Sequence, residues 1–274
     1  MRINHSITIS TLNKMKKNQN PISCLTCYDA SHSFWFDQAD IDVLLVGDSL
    51  GQVVQGHDTT VPVTLAQMVY HTQCVSRQAS RCFIMADVPF LEQATFERAL
   101  QAAQALMQAG ANMIKMEGGT WLASTVAKLA ERDIPVCAHI GYTPQSIHAL
   151  GGPKMAGKTT QQATSLIEQA QQLEQAGAQL MIVECVPDHL AATLANTLTC
   201  PVIGIGSGPD CDGQILVSYD MLGITPPPLP PFARCFLDQN NPSILQACQH
   251  FKQQVVDRTF PVKRKMNQPH KNPC

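Results

Sequence analysis

Five short apolar runs in this chain of 274 residues each end on an ionisable side chain. Val46-Gly47 leads to Asp48, Ala86 to Asp87, Ile114-Lys115-Met116 to Glu117, Ala138 to His139 and Val183 to Glu184. Neighbouring parallel strands lie ~4.8 Å apart, so Asp48, Asp87 and Glu117 at successive strand ends would crowd one another. Crowded anions shift each other's protonation or share a cation. Oxygen donors without a Cys or His cluster suit Mg²⁺ rather than zinc. One aspartate after a strand is as readily a helix cap. Three acids at successive strand ends, with Lys115 among them, favour the shared cation.

Lys115 and Glu117 are two residues apart, so in a strand both side chains point to the same face. A lysine so placed can hold a substrate carboxylate, form an imine with a keto group or simply pair with Glu117. Spacing leaves these open. Glu184, behind apolar Leu180-Met181-Ile182-Val183, is the candidate general base, with a structural ion pair as its alternative. His139 is a possible accessory group or a hydrogen-bonded core histidine.

Such residues work together only on a scaffold that brings successive strand ends to one mouth. The pattern predicts eight strands with apolar character on both faces, over 23–26, 43–46, 82–86, 113–116, 135–138, 180–183, 202–205 and 215–217. Helical stretches alternate with them, among others over 65–77, 95–109, 122–131 and 161–176. Gly110 and Gly177 close two of these just before a strand, where a left-handed cap is cheap for glycine. Eight strand–helix alternations predict an α/β fold, a (β/α)8 TIM barrel, with catalytic groups at the strand ends. An N-terminal helix over 6–17 is placed to plug the barrel bottom. A C-terminal helical extension over 242–256 follows a proline-rich break at 226–231. Residues 1–262 read as one catalytic domain, and the basic, Pro/Asn-rich tail over 263–274 as disordered.

Two glycine-bearing loops stand at the mouth. The segment 142–158, with Gly151, Gly152 and Gly157, has the length and composition of a lid. Gly204, Gly206 and Gly208 follow the seventh strand, where barrels bind phosphate through backbone N–H groups. The same glycines would equally serve close packing.

Composition narrows the class. Hydrophobic residues make up 45% and charged residues 15%, which excludes a disordered chain and suits subunit interfaces. A net charge of -2 carries no nucleic-acid footprint. No apolar run reaches the ~18 residues of a membrane helix. The 11 cysteines are odd in number, and without a signal-peptide pattern they predict free thiols in a reducing cytoplasm rather than a disulfide framework. Cys24 and Cys27 form the one CxxC. In a strand they would face opposite ways, so core packing is expected of them rather than redox chemistry.

Taken together the segments resemble the ketopantoate hydroxymethyltransferase family, from the N-terminal helix to about residue 225. The most specific stretch is VGDSLGQVVQGHDTT over 46–60, followed by PVT over 62–64. ADVPF over 86–90, GANMIKMEGG over 110–119, PVCAHIG over 135–141 with TPQ over 143–145, ECVP over 184–187, GIG over 204–206 and DGQILV over 212–217 follow in family order. The resemblance implies Mg²⁺ on Asp48 and Asp87, with Glu117 completing the site or supporting it from behind. It implies a keto acid held by Asp48, Ser49, Asp87 and Lys115, and Glu184 as proton acceptor. It further implies 3-methyl-2-oxobutanoate as substrate, 5,10-methylenetetrahydrofolate as one-carbon donor and a homodecamer. The chain departs from the family at PKMAG over 153–157, usually a YKVQG-like run, and at PPLPPF over 227–232. A lyase or phosphonomutase of the phosphoenolpyruvate mutase/isocitrate lyase type would also use Mg²⁺ and barrel acids. A lyase of that kind should carry a Lys-Lys-Cys-Gly-His string, which is absent. A barrel kept only for assembly would have lost the strand-end acids, which are all present.

Overall fold

Eight short parallel strands close into a barrel in a computed structural model that describes residues 6–263. They are β1 (Ile22–Thr26), β2 (Val43–Val46), β3 (Phe83–Asp87), β4 (Met113–Glu117), β5 (Val136–Gly141), β6 (Leu180–Glu184), β7 (Val202–Ile205) and β8 (Gly213–Leu216). Each pairs with the next in chain order, and β1 pairs with β8 to complete the ring. Parallel neighbours need crossover connections, and the intervening segments supply them, chiefly as helices on the outside. All eight predicted strands are present and the TIM barrel is confirmed.

Strand alternation divides the core in two. Ile22, Cys24, Val43, Leu45, Phe83, Met85, Met113, Cys137, Leu180, Ile182, Ile203 and Ile215 fill the barrel interior. Their alternates, such as Leu25, Leu44, Ile84, Ile114, Ala138 and Val183, pack outward against the helices. Cys24 and Cys27 fall in different layers, both buried, as a strand period of two requires.

The N-terminal helix Ile9–Lys17 starts later than predicted because Thr8 and Thr11 form a reciprocal capping box. Its Leu12, 1% exposed, joins the interior cluster. Lys16 Nζ donates to Asp212 Oδ2 at 2.7 Å and to the Ala195 carbonyl at 2.8 Å. Asp212 immediately precedes β8 and also accepts the Val202 N–H at the start of β7. The helix therefore closes the end of the barrel where strands begin, opposite the mouth. The C-terminal helix Ile244–Val256 is capped by Ser243 and packs Phe251 with Phe236 and Phe260 in edge-to-face contacts. It lies against β1 and the helix Ala30–Gln38, completing the outer ring. No helix among the described residues is long and apolar enough to cross a membrane. The predicted tail lies, from residue 264 onward, outside the described residues.

Candidate active site

The same alternation that fills the barrel with Phe83, Met85, Met113, Cys137, Leu180 and Ile182 decides where the polar strand ends point. Asp87 is in phase with Phe83 and Met85, Lys115 and Glu117 with Met113, His139 with Cys137, and Glu184 with Leu180 and Ile182. All five side chains therefore face the barrel interior at its mouth. The strands run one to three residues further than predicted, so these groups are held within the ladder. Register then sets neighbours: Asp87 lies opposite Lys115, and Glu117 opposite His139. Asp48 stands just past β2, its N–H donating to Asp87 Oδ2 at 2.9 Å.

One network joins them. Lys115 Nζ donates to Asp87 Oδ1 and lies 3.8 Å from Glu117 Oε1. Glu117 Oε1 is 3.1 Å from His139 Nδ1, and Glu117 Oε2 accepts the Gln145 N–H at 2.9 Å. His139 Nε2 lies 3.2 Å from Glu184 Oε2, an ionic contact rather than an aligned hydrogen bond. Ser49 Oγ is 2.8 Å from the Tyr28 hydroxyl. Every predicted site residue is thus gathered at one mouth.

Charge balance in this buried set is unequal. Burial and then the charges of Asp87 and Glu117 push the Asp48 carboxyl well above the usual aspartate range, with Lys115 and Gln145 opposing only in part. Burial works against the Lys115 cation, yet Asp87, Glu117 and Asp48 outweigh it and hold its pKa above the ordinary lysine value. Burial would raise Glu117, but His139, Lys115 and the Gln145 N–H bring it below the glutamate range. Burial and Lys115 disfavour charged His139, while Glu117 and Glu184 favour it and raise it to about 9. At neutral pH the two cations are matched by more carboxylates than they can neutralise. Asp48 bears the excess.

That excess is what a divalent cation relieves. Asp48 and Asp87 offer hard oxygen donors side by side, a set that fits Mg²⁺. Among the described residues no three His, Cys, Asp or Glu side chains form a ready cage. A cation here would take two carboxylates from the chain and its other ligands from water and substrate, a common arrangement for Mg²⁺. Glu117, whose oxygens are engaged by His139 and the Gln145 N–H, adds a third carboxylate to the same cluster.

The cluster opens into a cavity of about 690 Å³. One wall is the predicted lid, through Pro144, Ile147, Pro153, Lys154 and Met155. Another part of the wall is the proline-rich segment, through Pro228 to Phe232. Phe232 explains one of the glycines after β7. Gly206 has φ +57°, and a Cβ on it would lie 2.6 Å from the Phe232 ring. Gly204 packs likewise on Cys211 and Gly208 on Asp188, so these glycines serve close packing. Gly206→Ala is expected to destabilise the protein by about 1–2 kcal/mol through the left-handed backbone alone. It should also displace the Phe232 wall, giving a lower Tm together with a raised KM. An unaltered KM would detach this wall from substrate binding.

Sequence reading assigned no role to Gln145 or Tyr28. Gln145 is 5% exposed and ties the site together: its Nε2 donates to Asp48 Oδ2 at 2.8 Å and to the Val88 carbonyl at 3.0 Å, while its N–H serves Glu117. Its signal was the TPQ segment. Tyr28 follows β1, and a search for polar residues beyond the first strand, as for strands two to six, would have found it.

Comparisons with known proteins identify the family. The family model for ketopantoate hydroxymethyltransferase matches residues 6–263. The chain is 52% identical to the 3-methyl-2-oxobutanoate hydroxymethyltransferase of Shewanella sp. (strain MR-7) over 255 residues, 93% of this chain and 96% of that protein. It is 51% identical, over the same shares, to the protein of that name from Shewanella sediminis (strain HAW-EB3). Among solved structures, a phosphonopyruvate hydrolase complex with oxalate and Mg²⁺ superposes with a TM-score of 0.59 at 12% identity, covering 76% of this chain and 80% of that one. A 2,3-dimethylmalate lyase superposes with a TM-score of 0.59 at 15% identity, covering 80% and 84%. Identities this low establish a shared fold and nothing about chemistry. With the family model spanning the described barrel and half of all positions shared with full-length relatives, the chain belongs to the ketopantoate hydroxymethyltransferase family of enzymes.

Proposed function

We propose that this enzyme, working in the cytoplasm, transfers a hydroxymethyl group from 5,10-methylenetetrahydrofolate to 3-methyl-2-oxobutanoate, giving 2-dehydropantoate for pantothenate and coenzyme A synthesis, with one Mg²⁺ per subunit. The observation that carries the reading is the adjacent carboxyl pair, Asp48 and Asp87, with Asp48 in excess of the local positive charge, beside a buried cationic lysine in the wall of an open cavity. A 2-keto acid brings the matching groups, a carboxylate for the lysine and oxygens for a cation. Its small size leaves most of the 690 Å³ for a second, larger reactant.

Asp48 and Asp87 would hold the ion, which when bound polarises a keto group and acidifies the adjacent C–H. Ser49, positioned by Tyr28, donates to the substrate's oxygens. Lys115 supplies a fixed positive charge to the substrate carboxylate. Glu184 accepts the C3 proton, and the carbanion equivalent forms the C–C bond to the one-carbon unit. One water supplies the hydroxyl oxygen of the new hydroxymethyl group, and the C–N bonds to the folate break as tetrahydrofolate leaves. His139, charged between Glu117 and Glu184, orients the base and holds its negative charge in place. The segments 142–158 and 227–232 wall the cavity and limit the access of bulk solvent, while the reaction itself takes up one water. Purified protein is expected to consume 3-methyl-2-oxobutanoate only when both the folate donor and Mg²⁺ are supplied. Consumption independent of the folate would sink the proposal. The same reading includes a homodecamer, supported by exposed Phe34, Trp35 and Tyr70 on two packed outer helices, and sedimentation measures it directly.

Lys115 is expected to act as a cation and not to form an imine. Imine formation needs a neutral amine, and Asp87, Glu117 and Asp48 hold this one protonated. Borohydride added with the keto acid should leave the intact mass unchanged. A stoichiometric adduct on Lys115 would reassign the chemistry to Schiff-base catalysis.

A further inference from the structure

The mechanism leaves one buried acid in the cavity wall without a task. Asp220 is 4% exposed and sits in the short helix Ser218–Met221 directly after β8. It lines the same cavity as the catalytic cluster. Its Oδ1 accepts from the Thr225 hydroxyl at 2.6 Å, and its Oδ2 has no donor among the described residues. Burial raises its pKa above the usual aspartate range, with only Thr225 opposing. The keto acid cannot satisfy this group. That substrate is anionic and offers only acceptors, which an aspartate repels.

The one-carbon donor offers the complementary edge. A reduced pterin carries a ring N–H beside an exocyclic amine, two parallel donors spaced for the two oxygens of a carboxylate. We propose that Asp220 recognises the pterin ring of the folate donor through this paired N–H edge. The inference rests on the reading that the donor is a folate. Pro228 and Phe232, from the segment that follows Asp220, give apolar surface for the ring faces in the same cavity. Phe232 is held there by its close approach to Gly206. The placement also separates the two reactants. Asp87, Lys115, Glu117, His139 and Glu184 come from β3 to β6, whereas Asp220 stands beyond β8. Its neighbour Tyr219 packs edge-to-face on Tyr28, whose hydroxyl reaches Ser49 beside Asp48. Pterin anchored at Asp220 and keto acid anchored at Lys115 approach the metal-side residues from different strands.

Asp220→Asn tests this, because the amide oxygen can still accept from Thr225 while the amine opposes the pterin donors. Tetrahydrofolate binding, followed by calorimetry, is expected to weaken about 10- to 100-fold, the range for hydrogen bonds to a charged group. A tetrahydrofolate analogue lacking the 2-amino group keeps only the ring N–H of the pair, so Asp220→Asn should weaken it clearly less than it weakens tetrahydrofolate. Exchange of the keto acid's C3 hydrogen into heavy water, which involves no folate, reports whether the rest of the site is intact. Thr225→Val, which removes the anchor and leaves the carboxylate, should weaken tetrahydrofolate less than Asp220→Asn. Equal tetrahydrofolate affinity in Asp220→Asn and wild type would overturn the inference, as would equal losses for tetrahydrofolate and the desamino analogue. If wild type itself neither binds tetrahydrofolate nor uses its methylene derivative, the folate reading fails first, and the two failures are distinct.

Discussion

Asp87→Ala is expected to leave a folded protein whose turnover falls at least about 10³-fold, because Lewis-acid polarisation supplies several kcal/mol of barrier reduction and each 1.36 kcal/mol is tenfold in rate. Asp87 is central to the charge arrangement. It accepts from Lys115 on one oxygen and from the Asp48 N–H on the other. Removing one partner of a buried ion pair costs about 3–5 kcal/mol when the other is left uncompensated. Here Glu117 lies 3.8 Å from the same ammonium, and the Asp48 charge also acts on it, so the stability loss should fall below that range. Circular dichroism and thermal melting check the fold. The decisive comparison is with chelation. EDTA should bring wild type down to the level of the variant and should not lower the variant further. If EDTA inactivates both by equal factors, Asp87 acts by some route other than the metal. Full activity in Asp87→Ala would end the metal assignment.

The acids were legible in the sequence for a definite reason. In a parallel barrel the interior residues of each strand are apolar until the mouth, so an ionisable residue closing an apolar run marks both the strand's end and the direction of its side chain. Asp87, Glu117, His139 and Glu184 follow that rule, and the ladder carries each of them inside a strand. The eighth strand was less legible. It begins at Gly213, two residues before the predicted start, because a glycine there lets β8 approach Ile22 of β1 closely. Glycine is depleted in strands, so the residue that makes the closure possible also conceals it.

What stayed hidden were contacts between segments distant in sequence. Gln145 bridges Asp48 and Glu117 from the loop after β5, across separations of 97 and 28 residues. A lone glutamine in a loop carries no chemical signature that would single it out. The pairing of Gly206 with Phe232 is of the same kind: each is ordinary alone, and only the packed structure shows that one makes room for the other. The glycine run could be read from sequence as a phosphate cradle or as packing. Steric contact supports the packing reading, because a side chain at Gly204, Gly206 or Gly208 would collide with Cys211, Phe232 or Asp188.

Glu184→Gln is expected to abolish C3 hydrogen exchange while leaving keto-acid binding within a few-fold of wild type. Two structural facts separate Glu184 from its rivals. Its side chain is 12% exposed to the cavity, whereas those of Asp87, Lys115, Glu117 and His139 are 3–4% exposed and committed to one another. His139, the other candidate base, is raised to about 9 and is therefore already protonated at neutral pH. An imidazolium has no lone pair to accept a proton. General-base catalysis contributes about 10²–10⁴-fold, so exchange in heavy water, followed by loss of the C3 proton signal, should slow by at least 10²-fold. The glutamine keeps the shape of the side chain and its contact with His139, so binding is spared. Loss of the Glu184 charge removes part of what stabilises the imidazolium, and His139 should then titrate below its wild-type value. That shift, read from the histidine ring signals, shows that the two groups are coupled whatever the rate does. Unaltered exchange in Glu184→Gln, together with a lowered His139 pKa, would transfer the base role to the neutral imidazole.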